Sequence, residues 1–190
     1  MPKLTFFMHI SLDGFVAGPN GQLNWIKLDP EIQEFVAGMT AKADTALYGR
    51  TTYQLMESYW PNAGKSPNAD KFTLEHATWY ANVSKVVLSN TLSETGRTDT
   101  IVINENLSER IYELKQKEGR NILIFGSPGA SRSLLNLGLI DEFYFFMNPV
   151  ILREGMQFFK DISGRTDLEL LDTKTFACGV VILHYKTIRG

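Results

Sequence analysis

Cysteine is almost absent from this chain. Cys178 is the single one in 190 residues, so no intramolecular disulfide and no cysteine-based zinc cluster can form. Histidine is scarce too: His9, His76 and His184 lie far apart without ligand spacing, and no metal site is expected. No apolar run approaches the roughly 20 residues of a bilayer-crossing helix. The opening Met1-Pro2-Lys3-Leu4-Thr5-Phe6-Phe7 lacks the apolar core and small-residue cleavage site of a signal peptide. Neither sign of charge dominates. Nineteen Lys and Arg oppose 21 Asp and Glu, net −2, which leaves no basic field to draw nucleic acid or an anionic membrane. Gly-x-Ser-x-Gly elbows, Walker loops and the six-residue Rossmann fingerprint are missing, and Cys178 falls in a turn without a suggestive histidine, so nucleophilic hydrolysis has no support. These absences lead to the expectation of a soluble cytoplasmic protein with no nucleic acid and no membrane as partner.

What is present is ordinary in amount and ordered in pattern. Hydrophobic residues at 44% and charged residues at 21% are globular values, and residues 1–190 read as one domain large enough for a substantial core. Leu4 to Ser11 alternates as a strand, with Phe7, His9 and Ser11 on one face. Leu12 to Leu28 reads as a long loop. Asp29-Pro30 is a cap and first-turn pair, and Ile32, Phe35, Val36 and Met39 repeat at helical spacing, which predicts a helix to about Lys42. A buried strand Thr45–Tyr48, a short helix from Thr51 to about Glu57 and a loop Ser58–Ala69 follow. A helix is expected over Asp70–Asn82, strands over Lys85–Ser89 and Ile101–Ile103, and a helix through Leu107, Ile111 and Leu114. Asn121–Phe125 is a strand, Ser131–Leu137 a helix, and Asp141–Val150 a strand apolar on both faces and so covered on both sides. Leu168–Phe176 and Val180–Ile188 form a hairpin around Cys178-Gly179. Alternating strands and helices closed by a hairpin predict an α/β layered sheet, mostly parallel, with an antiparallel edge.

Two junctions carry the chemistry. Ala46-Leu47-Tyr48-Gly49-Arg50-Thr51 and Ile124-Phe125-Gly126-Ser127-Pro128-Gly129-Ala130-Ser131 each break an apolar strand at glycine and open a helix. Such helix starts present unpaired N–H groups and a positive dipole end, which suits anions. Two of them suggest a ligand with two phosphates held apart, and Arg50 suits a terminal phosphate monoester. Pro128 removes one donor from the second junction. Ser89, ending the next strand, is placed to bond the same phosphate. Asp13, in the turn Asp13-Gly14 at the exit of the first strand, is a candidate proton donor or substrate anchor; Asp29 and Glu31 are rival carboxylates, and Asp29 already has a capping role. His9 reads as a core or pocket-lining residue, and Phe143, Tyr144, Phe145 and Phe146 as core.

Taken in order, the segments Ser11-Leu12-Asp13-Gly14-Phe15-Val16-Ala17-Gly18, Asn24-Trp25, Asp44 to Tyr53, Lys85 to Ser89, Gly126 to Leu134, Gly138 to Glu142 and Pro149-Val150-Ile151-Leu152 resemble the dihydrofolate reductase-like superfamily. The likeness is nearest to proteins related to the C-terminal reductase domain of the riboflavin-biosynthesis enzyme (RibD C-terminal-like). The resemblance implies a three-layer α/β/α fold and NADPH as cofactor. Gly49, Arg50, Thr51 and Ser89 would hold the adenosine 2′-phosphate, and Gly126, Ser127, Gly129, Ala130 and Ser131 the pyrophosphate. Ala17 and Gly18, with Val150 and Ile151 opposite, would border the nicotinamide, while Asp13 and Trp25 would face a small heterocyclic substrate. A pterin, a folate or a ribosylaminopyrimidine is the implied substrate class, and a homodimer the implied assembly.

The chain departs from its relatives on the substrate side. The helix segment Phe35-Val36-Ala37-Gly38-Met39-Thr40 lacks the histidine and arginine that riboflavin-pathway reductases carry there. The loop after Pro149 usually has two glycines with one residue between, whereas Arg153-Glu154-Gly155 keeps one. Two functions are therefore carried forward: an NADPH-dependent reductase with Asp13 as its proton donor, and a non-catalytic NADPH-binding sensor or structural protein on the same fold.

Overall fold

Strands and helices alternate through the computed structural model, which describes residues 1–188. The chain opens with β1 (Leu4–Ser11) and a short β2 (Phe15–Ala17). Helix α1 (Pro30–Thr40) starts where the Asp29 carboxylate accepts from the Ile32 amide at 2.8 Å, with Pro30 preset for the first turn. Then follow β3 (Ala43–Gly49), α2 (Arg50–Ala63), α3 (Lys71–Asn82, capped by Asp70), β4 (Ser84–Leu88), β5 (Thr100–Ile103) and α4 (Leu107–Gln116). The second half contains β6 (Asn121–Phe125), α5 (Pro128–Asn136), β7 (Glu142–Asn148), β8 (Met156–Gln157), β9 (Leu168–Thr175) and β10 (Val181–Thr187).

Eight strands form one sheet in the order β5-β4-β3-β6-β1-β7-β10-β9. The six from β5 to β7 run parallel, and β10 pairs antiparallel with both β7 and β9. The parallel crossovers carry helices except for the loop from β4 to β5, and those helices cover both faces of the sheet. On one face Phe6, Met8, Ile10 and Phe143 pack with Ile111 of α4 and Leu134 of α5. On the other, Tyr48, Leu123, Phe125 and Phe146 pack with Ile32 and Val36 of α1, Tyr53 of α2 and Tyr80 of α3. This is the expected three-layer α/β/α arrangement with its antiparallel edge. β7 is covered on both faces, as its sequence requires, and the hairpin turns where Gly179 takes φ 88°.

Three local expectations are corrected. Helix α2 continues through Pro61 to Ala63 instead of ending near Glu57. Its last turns are held by packing on α3: the Trp60 ring lies 4.1 Å from that of His76, and its indole N–H points to Met56 Sδ at 3.1 Å. Tertiary contact outweighs the one hydrogen bond that proline removes. Helix α5 starts at Pro128 rather than Ser131, because a proline ring is preset for a first helical turn. The stretch read as loop contains β2, which pairs with β8 in a separate two-stranded sheet. That pairing joins segments some 140 positions apart and leaves no local signal. The far edge, β9, is largely exposed, including Leu170 and Leu171.

Candidate active site

Parallel pairing brings the carboxyl ends of β1, β3, β4, β6 and β7 to one rim, the usual ligand edge of an open α/β sheet. Because β3 and β6 are neighbours, the two glycine junctions are not held apart; they touch. The Gly49 amide donates to Ser127 Oγ at 3.0 Å, and a Cβ added to Gly49 would lie 3.4 Å from that of Ala130.

That contact engages several residues expected to face a ligand. The buried Ser127 hydroxyl donates to the Phe125 carbonyl at 2.9 Å while receiving Gly49. The buried Ser131 hydroxyl donates to the Gly126 carbonyl at 2.8 Å, and its amide donates to the Ser127 carbonyl. The Gly126 amide belongs to the ladder, donating to the Phe7 carbonyl at 3.0 Å. Ser127 itself takes φ 51°, a strained turn position for a residue with a side chain. The cradle is therefore narrower than expected. Gly129 and Ala130, in the first turn of α5, are its open amides, because a first turn has no intrahelical acceptor.

Arg50 sits at the start of α2, exposed, and its guanidinium donates to Thr91 Oγ1 at 2.6 Å. Ser89 folds the strand exit around its own hydroxyl, which accepts the Thr91 and Leu92 amides at 3.2 and 3.0 Å. Arg50, Ser89 and Thr91 thus form one cluster, and Thr91 is a member that the sequence pattern did not single out. Beside it lies a cavity of about 250 Å³ lined by Leu88, Ser89, Asn104, Asn106, Ala130 and Ser133. A wider, open cavity of about 560 Å³ flanks the other side of α5, lined by Gly18, Gly21, Arg132, Gly155 and Lys160.

The exit of β1 is clamped. Asp13 Oδ1 accepts from the Ser11 hydroxyl at 2.6 Å and the Leu152 amide at 3.1 Å, and Oδ2 accepts the Arg153 amide at 2.7 Å. Desolvation acts to raise its pKa, but the bonds from Ser11, Arg153 and Leu152 outweigh it and hold the carboxyl below its ordinary value. In this geometry Asp13 is an ionised carboxylate gripping the loop after β7. That loop carries Arg153 at φ 67°, where a glycine is relaxed, and Gly155 at φ 129°, packed onto Ala17 and Gly18. Ala17 and Gly18 are buried by this contact, Val150 is half-buried, and Ile151 is exposed.

On the α1 side, Phe7 and His9 stay partly exposed although β1 is central, so the helical layer opens above them. Asn148 Oδ1 accepts the Lys27 amide at 2.9 Å, which turns its NH₂ toward His9 Nδ1 at 3.2 Å. Nδ1 is then the acceptor and the hydrogen sits on Nε2. Desolvation lowers the His9 pKa to about 4, keeping the ring neutral. Trp25 is half-buried in the loop leading to α1, its indole donating to the Gln22 carbonyl at 3.1 Å. Asp29 is held below its ordinary pKa by the Cys178 thiol and the Ile32 amide, and Glu31 is exposed beyond it. Neither rival carboxyl is brought beside His9 or Asp13 by a hydrogen bond among the described residues.

Comparison with known proteins agrees with this architecture. The family profile described as RibD C-terminal domain matches residues 2–182. The protein YyaP of Bacillus subtilis (strain 168), described as uncharacterized, is 34% identical over 185 residues, covering 96% of this chain and 94% of its own. A Shewanella sp. PV-4 protein assigned to riboflavin biosynthesis superposes with a TM-score of 0.77 at 19% identity, covering 98% of this chain and 99% of that one. Dihydrofolate reductase from Enterococcus faecalis, solved with NADP(H), superposes with a TM-score of 0.60 at 18% identity, covering 97% and 96%. The rim, the paired helix starts and the clamped β1 exit thus sit on a shared fold, and the chain belongs to the RibD C-terminal domain family, a reductase family built on the dihydrofolate reductase fold.

Proposed function

We propose that the protein is an NADPH-dependent reductase that delivers a hydride to a small heterocyclic substrate, in the manner of the pyrimidine and pterin reductases it resembles. The observation that carries this reading is the pair of cavities on either side of the first turn of α5. One has Arg50, Ser89 and Thr91 beside it, and the other has the Gly18–Gly155 contact in its wall. A dinucleotide laid across that turn would have its adenosine 2′-phosphate at Arg50 and Thr91 and its pyrophosphate at the Gly129 and Ala130 amides. Its nicotinamide would lie by Ala17, Gly18, Val150 and Ile151. NADPH, when bound, supplies the hydride. The substrate stands over Phe7 and His9, with Trp25 at its edge, where the neutral His9 ring is a hydrogen-bond partner rather than a charge. With Asp13 ionised and His9 neutral, solvent water is the proton source, and Asp13 acts by holding the loop that borders the nicotinamide.

Two measurements test this. Titration of the cofactor by fluorescence is expected to show NADPH bound more tightly than NADH. Arg50→Ala should weaken NADPH by about tenfold, a modest loss because Arg50 is exposed, with NADH unchanged. Equal affinity of the wild type for both cofactors removes the 2′-phosphate assignment. Asp13→Asn keeps one acceptor oxygen and is expected to lower kcat/KM by roughly tenfold without changing the shape of the pH–rate profile. An acidic limb that vanishes in this variant would return the proton to Asp13. NADPH binding without oxidation, against dihydrofolate and pyrimidine acceptors alike, would favour the sensor reading.

A further inference from the structure

A separate cavity of about 340 Å³ lies at the opposite pole of the sheet, between the end of α1 and the amino ends of β1 and β7, with β9 and β10 along its side. Thr5 lines it, six positions before Ser11 on the same strand, so about 20 Å of β1 separates it from the rim. Nothing in the reductase reading uses it.

Its walls are aromatic and fixed. The Tyr144 ring stacks on His184 at 3.9 Å and 14°, and Phe35 of α1 lies 6.0 Å from Tyr144. His184 Nε2 is held 3.2 Å from Glu142 Oε2, and Lys3 occupies the other oxygen at 2.6 Å, so the stack is anchored and Glu142 is satisfied. Met39 and Leu123 complete the apolar lining.

Three polar groups around this space keep bonding capacity. The Thr5 hydroxyl is buried and finds no hydrogen-bond partner among the described residues. The Tyr144 hydroxyl makes no hydrogen bond there either. Asp172 takes the Thr173 amide on one oxygen and leaves the other without a hydrogen bond among the described residues. Burial, with the charges of Glu142 and Asp172, pushes the Tyr144 phenol up to about 12, so it stays protonated. The cations nearby are peripheral: Lys42 is at the exposed rim, and Lys174 lies over the Phe35 ring at 5.7 Å.

We propose that this cavity is a second small-molecule site, taking a planar aromatic heterocycle that carries amino N–H donors. The ring lies against Phe35, whose plane is tilted 60° from that of Tyr144, and the donor edge meets Asp172 and the Tyr144 hydroxyl. The open Asp172 oxygen calls for a donor-bearing ligand, the aromatic lining for a planar one, and the volume, near the lower end for ligand pockets, for one or two rings.

The test uses 2-aminobenzimidazole as the probe, followed by residue-resolved NMR on the full chain. Saturable shifts are expected at Thr5, Phe35, Tyr144 and Asp172 at low-millimolar probe. Asp172→Asn and Tyr144→Phe should each weaken binding about three- to tenfold with unchanged melting temperatures. Cyclohexylamine, a cation without a stacking face, should not bind. Absence of saturation to about 10 mM, shifts confined to the Asp13–Arg50 rim, or wild-type affinity in both variants would each overturn the site. None of these outcomes depends on NADPH binding.

Discussion

Replacing Gly155 by alanine is expected to destabilise the protein by about 3 kcal/mol and to weaken NADPH binding with it. The cause is steric and has no soft way out. Gly155 has φ 129°, a conformation L side chains rarely adopt, and its added Cβ would overlap the Ala17 carbonyl oxygen and stand 2.9 Å from Gly18 C and Cα. These are backbone atoms, so relief requires parting β8 from β2, the small sheet that carries Ala17 and Gly18 against the loop from Val150. Urea unfolding monitored by tryptophan fluorescence, paired with NADPH titration, measures both effects. Gly38→Ala is the contrast: Gly38 lies inside α1, exposed, with nothing within 4 Å of an added Cβ, so a gain of about 0.5–1 kcal/mol is expected. If Gly155→Ala behaves like Gly38→Ala, the close crossing does not exist in solution.

Acid is expected to weaken the fold well before its carboxylates titrate. His76 is buried against Trp60, Phe72 and Trp79, with Nδ1 unpartnered among the described residues, and desolvation lowers its pKa to about 4. In the unfolded chain it returns to about 6.5. Between those values the unfolded chain holds the extra proton, so stability is fully present above pH 6.5 and declines as pH falls toward 4. The loss reaches about 3 kcal/mol at the lower end for His76, and less for His9, which shares the direction but keeps some exposure. Urea midpoints at pH 7.5 and 4.5 measure the decline. His76→Phe keeps an aromatic ring in the cage and removes the proton, so its midpoint should change much less between the two. An undiminished decline in that variant would place the acid sensitivity elsewhere.

Local chemistry was legible where neighbours in sequence supply the physics. Asp29 and Pro30 mark the start of α1 because a carboxylate three positions before an amide caps it and a proline ring presets the first turn. Gly49 and Gly126 mark strand ends, and the alternation of Phe7, His9 and Ser11 marks one face of a strand buried on both sides. The order of these signals was also enough to point to the family. The roles of the residues were harder to read. Ser127 and Ser131 look like ligand hydroxyls in a row of small residues, yet their bonds to Phe125, Gly49 and Gly126 close the junction itself. Asp13 looks like a poised acid at a strand exit, and the two amides that keep it ionised come from about 140 positions away.

The sequence by itself therefore determined the layered α/β fold, the paired helix starts and the family, because helix caps, strand periodicity and turn glycines act over a few residues. The tertiary structure alone decided that the two glycine junctions press against each other, that Thr91 joins Arg50 and that Asp13 grips a loop. It also set the open cavity at the far pole of the sheet. Each of these depends on strand order and register, which set two distant backbones about 5 Å apart and leave no mark in either local segment.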